Sequence, residues 1–126
     1  MPIAAVRFNN PGDVSLPIHG WDGPGEIVGL RGQPGYAKFP TMEIGFEAFQ
    51  QRIRSYIDEG RNTIRRIGAV YATDPDWPRD VSRLSHIPIG AFLDADDAEQ
   101  MRELAAAIIR QETGMSLAHL NVLAGA

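Results

Sequence analysis

The chain has 126 residues and a mass of 13.8 kDa, enough for one hydrophobic core and too short for two, so we predict a single domain over residues 1–126. A formal net charge of -4 and a pI near 5.3 exclude the broad positive field that sequence-independent nucleic-acid binding requires, so no nucleic-acid partner is expected. The absence of cysteine excludes disulfides and thiolate metal sites, and the three histidines lack ligand spacing, so we predict neither a metal nor a cofactor.

The sequence carries no pattern for export or membrane insertion. Its N-terminal residues lack a basic region followed by a long apolar stretch, and no window approaches the length of a membrane span. We therefore expect a protein that is cytoplasmic when synthesised and has no membrane span. A place in a virion or in the periplasm would then require a route that does not use a signal peptide.

The first 40 residues are predicted to form a loop and hairpin subregion. Proline and glycine recur through residues 1–25, which favours ordered turns over a helix or a long strand. Residues 26–30 and 35–39 alternate partly between apolar and polar side chains on either side of residues 31–34, which predicts a small β-hairpin. Because a lone hairpin is only marginally stable, we expect it to lie on helices.

Residues 41–126 are predicted to form a helical subregion. Apolar residues recur at steps of three and four after position 41, which predicts a helix with Thr41 as its N-cap and Gly60 as its C-cap. A second helix is predicted to open at Asn62–Thr63, and a third to run from Pro78 to about Ser85.

Two further helices are predicted toward the C-terminus. An acidic cluster at residues 94–99 precedes a long amphipathic helix that ends at Gly114, since carboxylates favour the positive end of a helix. Ser116 is predicted to cap a last helix that carries Leu117, Leu120 and Leu123. The fold class is therefore predicted to be mainly α within α+β, with about five helices and one small N-terminal β-hairpin.

Several short motifs occur in a recognisable order after Arg7. They are Asn9–Gly12, Trp21–Gly23, Gly35–Phe39, Glu43 with Gly45, Asn62–Ile64 and Glu112–Gly114. In this order they resemble a family of small phage and prophage proteins, virion proteins and lysozyme-like endolysins, which open with an Arg-x-Asn-Asn-Pro-Gly-Asn motif. The chain differs from that motif at Asp13, and it has residues 71–76 where members often have Trp-Ala-Pro-Pro-x-Glu-Asn-Asp-Thr. The resemblance implies a lysozyme-like fold.

The resemblance also implies a function in binding or cleaving the glycan strand of bacterial peptidoglycan, as a lytic glycosidase or transglycosylase if the protein is an enzyme. Such cleavage needs a protonated carboxylic acid beside the scissile oxygen and often a second carboxylate or an oriented water. Glu43 and Glu112 are the candidate catalytic acids. The alternative function is that of a non-catalytic virion or assembly protein, which uses the same fold as an interaction module.

Each candidate acid has a structural alternative. Glu43 lies in the first helical turn after the hairpin, beside Gly45, which would let a sugar chain approach the backbone. The helix N-terminus by itself also favours a glutamate there. Glu112 shares a helix face with apolar residues such as Ile108, where burial would keep its carboxyl protonated. A buried carboxylate also serves as an arginine partner, here of Arg7 or of an arginine on the second predicted helix.

Five further residues are candidates for contact with a glycan: Arg7, Asn10, Trp21, Tyr36 and Asp76. The aromatic rings suit the faces of sugars, although most such rings in a small domain belong to the core. The amide of Asn10 could bond to sugar hydroxyl or amide groups, although asparagine before Pro-Gly is also a favoured turn residue. Asp76 could hold water beside an aromatic ring, or act only as a turn or cap residue before a helix.

Overall fold

The computed structural model describes residues 3–71 and 74–116, and this part of the chain is mainly helical. Within it lie five helices and one two-stranded sheet: α1 (Ile3–Arg7), β1 (Glu26–Ile27), β2 (Ala37–Lys38), α2 (Met42–Asp58), α3 (Ile64–Gly68), α4 (Trp77–Ser85) and α5 (Ala98–Thr113). A short 3₁₀ turn (Ala69–Tyr71) follows α3. The predicted fold class, mainly α with a small β-hairpin, is confirmed.

The five helices are not the five that the sequence predicts. Helix α1 was not predicted, because the proline and glycine of the first 25 residues favour turns. It is five residues long and is closed by a backbone hydrogen bond from the N–H of Asn10 to the carbonyl of Ala5. The helix predicted to follow Ser116 lies outside the described residues.

Local capping sets the limits of the longer helices. Thr41 and Thr63 each accept a hydrogen bond from the backbone N–H three residues later, at the starts of α2 and α3. Asp97 does the same for α5. The C-cap of α2 is Glu59, so the predicted cap Gly60 lies one residue further on, where its φ of 97° suits a residue without Cβ.

The hydrophobic core lies between α2 and α5, and α4 packs against α5. Helix α2 contributes Phe46, Phe49 and Ile53, which recur at steps of three and four and are fully buried. Helix α5 contributes Leu104 and Ile108 from the facing side. None of the helices in the described ranges combines the length and the apolar character needed to cross a membrane.

The predicted hairpin is present as a short antiparallel ladder. Glu26 lies opposite Lys38, and Ile27 lies opposite Ala37. Two isolated bridges accompany this ladder: one pairs Leu30 with Gln33, and the other pairs Ser15, which precedes the hairpin, with Tyr36. Two strands cannot bury their own side chains, so an isolated hairpin is only marginally stable. Here the side chain of Phe39 is fully buried and attaches the hairpin to the hydrophobic core.

Residues 8–14, which we call the Asn-Pro-Gly segment, pack closely against α2. A Cβ atom at Gly45 of α2 would overlap the carbonyl oxygen of Asn9, and one at Gly12 would overlap the ring of Phe49. The two glycines therefore set the distance between the segment and the helix. The sequence-based idea that Gly45 leaves room for a sugar chain is wrong, because the backbone of Asn9 already fills that space.

Candidate functional site

A cleft of about 600 Å³ opens between the Asn-Pro-Gly segment, helix α2, the 3₁₀ turn and the last turn of α5. Its apolar lining includes Phe49, Ile108 and Ile109, which are side chains of the core. Its polar lining includes Asp13, Arg52, Tyr56, Tyr71 and Glu112. This volume falls within the range of about 300–1,000 Å³ that is typical of ligand sites, and the mixture of apolar walls and a few convergent polar groups is typical of them too.

Asp13 brings a carboxylate to the cleft from the Asn-Pro-Gly segment. Its φ of 54° places it in the left-handed region, which aspartate and asparagine tolerate better than most residues. The backbone N–H of Asp13 donates to the carbonyl of Asn10, which fixes this turn. In the described ranges no arginine or lysine lies within ion-pair distance of its carboxylate. Partial burial in the cleft wall raises the pKa of Asp13, which favours its protonated form.

Glu112 brings a second carboxylate to the cleft from the last turn of α5. The side chain is exposed, so the prediction that it is buried on the apolar face is wrong. The indole Nε1 of Trp77 donates a hydrogen bond of 3.0 Å to its Oε1 atom. Trp77 is buried and stacks on Tyr71, with the ring centroids 4.8 Å apart. The arginine partner that was the structural alternative is thus replaced by an indole, which bonds to one of the two carboxylate oxygens of this cleft-lining residue.

The hydroxyl of Tyr71 lies within electrostatic reach of the other polar groups. Burial is the largest cause that raises the pKa of Tyr71, and the nearby Tyr56 and Glu112 raise it further. Arg52 acts in the opposite direction, and Asp13 adds a smaller increase. Four side chains from three parts of the chain, the Asn-Pro-Gly segment, α2 and α5, therefore influence one tyrosine hydroxyl.

Of the seven residues that the sequence proposed for a site, Glu112 lines this cleft. Glu43 does not join it. It is exposed in the first turn of α2, next to the cap made by Thr41, where the helix N-terminus favours a carboxylate. This position agrees with the structural alternative for Glu43.

Asn10 and Tyr36 are both 0% exposed and have no surface to offer a ligand. The Nδ2 atom of Asn10 donates to the carbonyls of Val14 and Ala37 at 2.9 and 2.8 Å, and its Oδ1 atom accepts from the N–H of Val14. Asn10 is therefore used by the fold. The hydroxyl of Tyr36 has no hydrogen-bond partner among the described residues, and burial together with the charge of Asp13 raises its pKa to about 12.

Arg7, Trp21 and Asp76 lie apart from the cleft lining. The guanidinium of Arg7 is exposed and sits 5.2 Å from the ring centroid of Phe8. Trp21 is half-buried with its ring edge-on to that of Phe39. Asp76 is exposed, and its carboxylate lies 3.5 Å from Arg79. The contact of Trp21 agrees with the core alternative stated for the aromatic rings.

Sequence reasoning missed the contributions of Asp13, Arg52 and Trp77. Asp13 was visible as the one departure from the Asn-Pro-Gly-Asn motif, since it puts an ionisable group where an amide is expected. Arg52 belongs to a run in which basic residues alternate with Asp58 and Glu59, and such a mixed run is by sequence alone typical of a solvated helix face. Trp77 stands directly before Pro78, where the sequence indicates only an apolar contact at the start of a helix, and only the folded chain brings its N–H to Glu112.

The described residues contain no cluster of three or more histidine, aspartate or glutamate side chains arranged to hold a metal ion. Comparison of the chain with protein-family models, curated protein sequences and solved structures found no match.

Proposed function

We propose that the protein is a lysozyme-like enzyme that cleaves the glycan strand of bacterial peptidoglycan in this cleft, with Asp13 and Glu112 as its catalytic residues. The observation that carries the proposal is the pair of carboxylates, one from the Asn-Pro-Gly segment and one from α5, that line one cleft without an arginine or lysine partner in the described ranges. The ordered sequence motifs that resemble phage lysozyme-like proteins support the choice of substrate.

The two carboxylates have different surroundings, and these suggest different roles. The raised pKa of Asp13 favours a protonated carboxyl, which is the form a general acid needs to protonate the scissile glycosidic oxygen. Glu112 is held by the indole of Trp77 and keeps one oxygen free. That oxygen would stabilise the positive charge that develops on the sugar ring, or orient the group that attacks it.

The test compares Asp13→Asn and Glu112→Gln with wild type in the release of reducing ends or anhydro-sugars from purified peptidoglycan. Each substitution keeps size and polarity, so we expect about 10²–10⁴-fold less activity with an unchanged thermal melt. Asparagine also tolerates the left-handed backbone of position 13. Activity of wild type should fall as pH rises through the raised pKa of Asp13, because only the protonated form donates.

Glu43→Gln is the matched control, since Glu43 is an exposed carboxylate outside the cleft lining. It should retain wild-type activity. Full activity in both cleft variants, or loss of activity in Glu43→Gln alone, would contradict the assignment of the cleft. A folded wild type that releases no product would remove the enzymatic proposal.

The second candidate is a non-catalytic virion or assembly protein. The observation in its favour is the exposure of large apolar side chains away from the cleft, with Phe92 73% exposed and Ile27 58% exposed. Exposed apolar side chains are frequent where proteins bind one another. This candidate predicts an inactive wild type, and it also predicts that Phe92→Ser weakens the binding of an assembly partner without changing the fold.

A further inference from the structure

Arg52 is the one basic side chain among the described residues that line the cleft. It projects from α2 and is half-buried, with its guanidinium 4.5 Å from the ring centroid of Tyr56. A guanidinium stacked on an aromatic face loses little freedom when it makes further hydrogen bonds, because the stack already restricts its orientation. Its N–H groups point outward from the edge of the plane, so the stack leaves them able to donate.

Arg52 has no carboxylate partner within ion-pair distance in the part of the chain that the structure describes, although Asp13 and Glu112 line the same cleft. Arg61 gives a useful contrast. It also lies near the ring of Tyr56, at 5.9 Å, but its guanidinium is paired with Glu59 at 3.0 Å on the exposed surface. Of the two arginines near the Tyr56 ring, Arg61 forms an ion pair with Glu59, whereas Arg52 lines the cleft without an ion-pair partner in the described ranges.

A half-buried cation that is preorganised and unpaired is well suited to an anionic ligand. The planar fork of a guanidinium matches a carboxylate, which it binds with two parallel hydrogen bonds. Arg52 lines the same cleft as Tyr71 and Glu112, and its charge lowers the pKa of the Tyr71 hydroxyl while the charge of Glu112 raises it. A ligand carboxylate in the cleft would be attracted by Arg52 and repelled by Glu112.

We propose that Arg52 binds a carboxylate carried by the ligand of this cleft and so makes the site specific for a carboxylated glycan over a neutral one. This inference rests on the proposed function, since it names the part of the glycan that is recognised. In peptidoglycan such a carboxylate has two sources. It is either the free lactyl group of a muramic sugar or a carboxylate of the peptide attached to that group.

The experiment measures the binding of three disaccharide probes by NMR titration of the full chain. The first probe is N-acetylglucosaminyl-N-acetylmuramic acid with a free lactyl carboxylate. In the second, the same carboxylate is reduced to an alcohol, and in the third it carries a peptide. Wild type is compared with Arg52→Gln and Arg52→Lys. Arg61→Gln is the matched control, because it removes the other guanidinium from the ring of Tyr56 without touching the cleft.

We expect wild type to bind a carboxylated probe about tenfold more tightly than the alcohol, and Arg52→Gln to lose that preference. Arg52→Lys should keep part of it, because a lysine provides charge without the fork. Arg61→Gln should behave as wild type. Binding of the peptide-bearing probe alone, with the same dependence on Arg52, would assign the carboxylate to the peptide.

Three outcomes would overturn the inference. Equal binding of acid and alcohol by wild type would remove the role of Arg52 while leaving glycan binding intact. Equal weakening of acid and alcohol by Arg52→Gln would show that the arginine only supports the shape of the cleft. Binding of none of the three probes by a folded wild type would remove both this inference and the proposed function on which it rests.

Discussion

Polar side chains occur both in the Asn-Pro-Gly segment and in the lining of the cleft beside it. They differ in whether they have partners within the protein. In the segment, Asn9 and Asn10 donate to backbone carbonyls of the hairpin region, so their amides hold the chain in place. In the cleft, Asp13 and Arg52 have no ion-pair partner in the described ranges. Asn10 and Asp13 are only three residues apart. The amides that bond to backbone hold the segment in place, whereas the two charged groups without an ion-pair partner line the cleft.

The largest effect that would test this comparison is expected at Asn10. Asn10→Asp replaces a donor with a carboxylate oxygen that would face the carbonyls of Val14 and Ala37. Because the site is fully buried, we expect the free energy of unfolding to fall by about 3 kcal/mol. Chemical denaturation followed by circular dichroism measures this change.

Asn62→Asp is the control for that substitution. The Oδ1 atom of Asn62 accepts a hydrogen bond from Arg66 near the surface, and a carboxylate accepts equally well. We expect a change within about 0.5 kcal/mol at this position. If Asn10→Asp is as mild as Asn62→Asp, then Asn10 is not the structural residue that its contacts indicate.

A smaller effect is expected for the hydrogen bond between Trp77 and Glu112. We predict a coupling energy of about 1 kcal/mol in a double-mutant cycle of Trp77→Phe and Glu112→Ala, measured by denaturation, because alanine removes the acceptor that a glutamine would keep. Phenylalanine keeps a ring against Tyr71 and removes only the N–H donor and part of the ring area. Pairing Trp77→Phe with Glu103→Ala, an exposed site elsewhere on α5, should give no coupling. Equal coupling in both cycles would show that Trp77 does not fix Glu112 specifically.

An effect of similar size but opposite sign is expected at Tyr36, where Tyr36→Phe removes a buried hydroxyl that has no partner among the described residues. We expect a gain in unfolding free energy of about 1 kcal/mol at neutral pH. The folded-state pKa of Tyr36 is raised from 10.0 to about 12, so the unfolded chain loses this proton first as pH increases. Wild type should therefore lose stability between about pH 10 and 12 relative to the variant. A variant less stable than wild type at pH 7 would reveal a hydrogen bond to that hydroxyl.

Much of the secondary structure was predictable, because the responsible signals are local. Thr41 and Thr63 are caps whose hydrogen bonds reach only three residues along the chain, and the apolar repeat of α2 is visible in its sequence. Helix α1 was not predictable in this way. Its five residues carry no capping pattern, and its position depends on packing, with Ala5 buried in the core.

The candidate site was much less predictable than the helices. Glu112 was chosen from its place in the helical repeat, but its partner Trp77 is 35 residues away and could not be inferred from spacing. Tyr36 and Asn10 were chosen for chemistry that suits sugars, and burial makes both inaccessible. Residue type predicts what a side chain is able to bind, whereas exposure decides whether a ligand reaches it.

The sequence by itself determined the helical character of the chain, the caps of its main helices and the turn that begins at Asn9, because each depends on interactions between near neighbours. The tertiary structure alone decided that Asp13, Arg52 and Glu112 line one cleft while Asn10 is buried outside its lining. These residues come from three distant parts of the chain. They lie close together only because the Asn-Pro-Gly segment, α2 and α5 pack against one another. That packing depends on contacts between residues far apart in the chain, which local sequence does not specify.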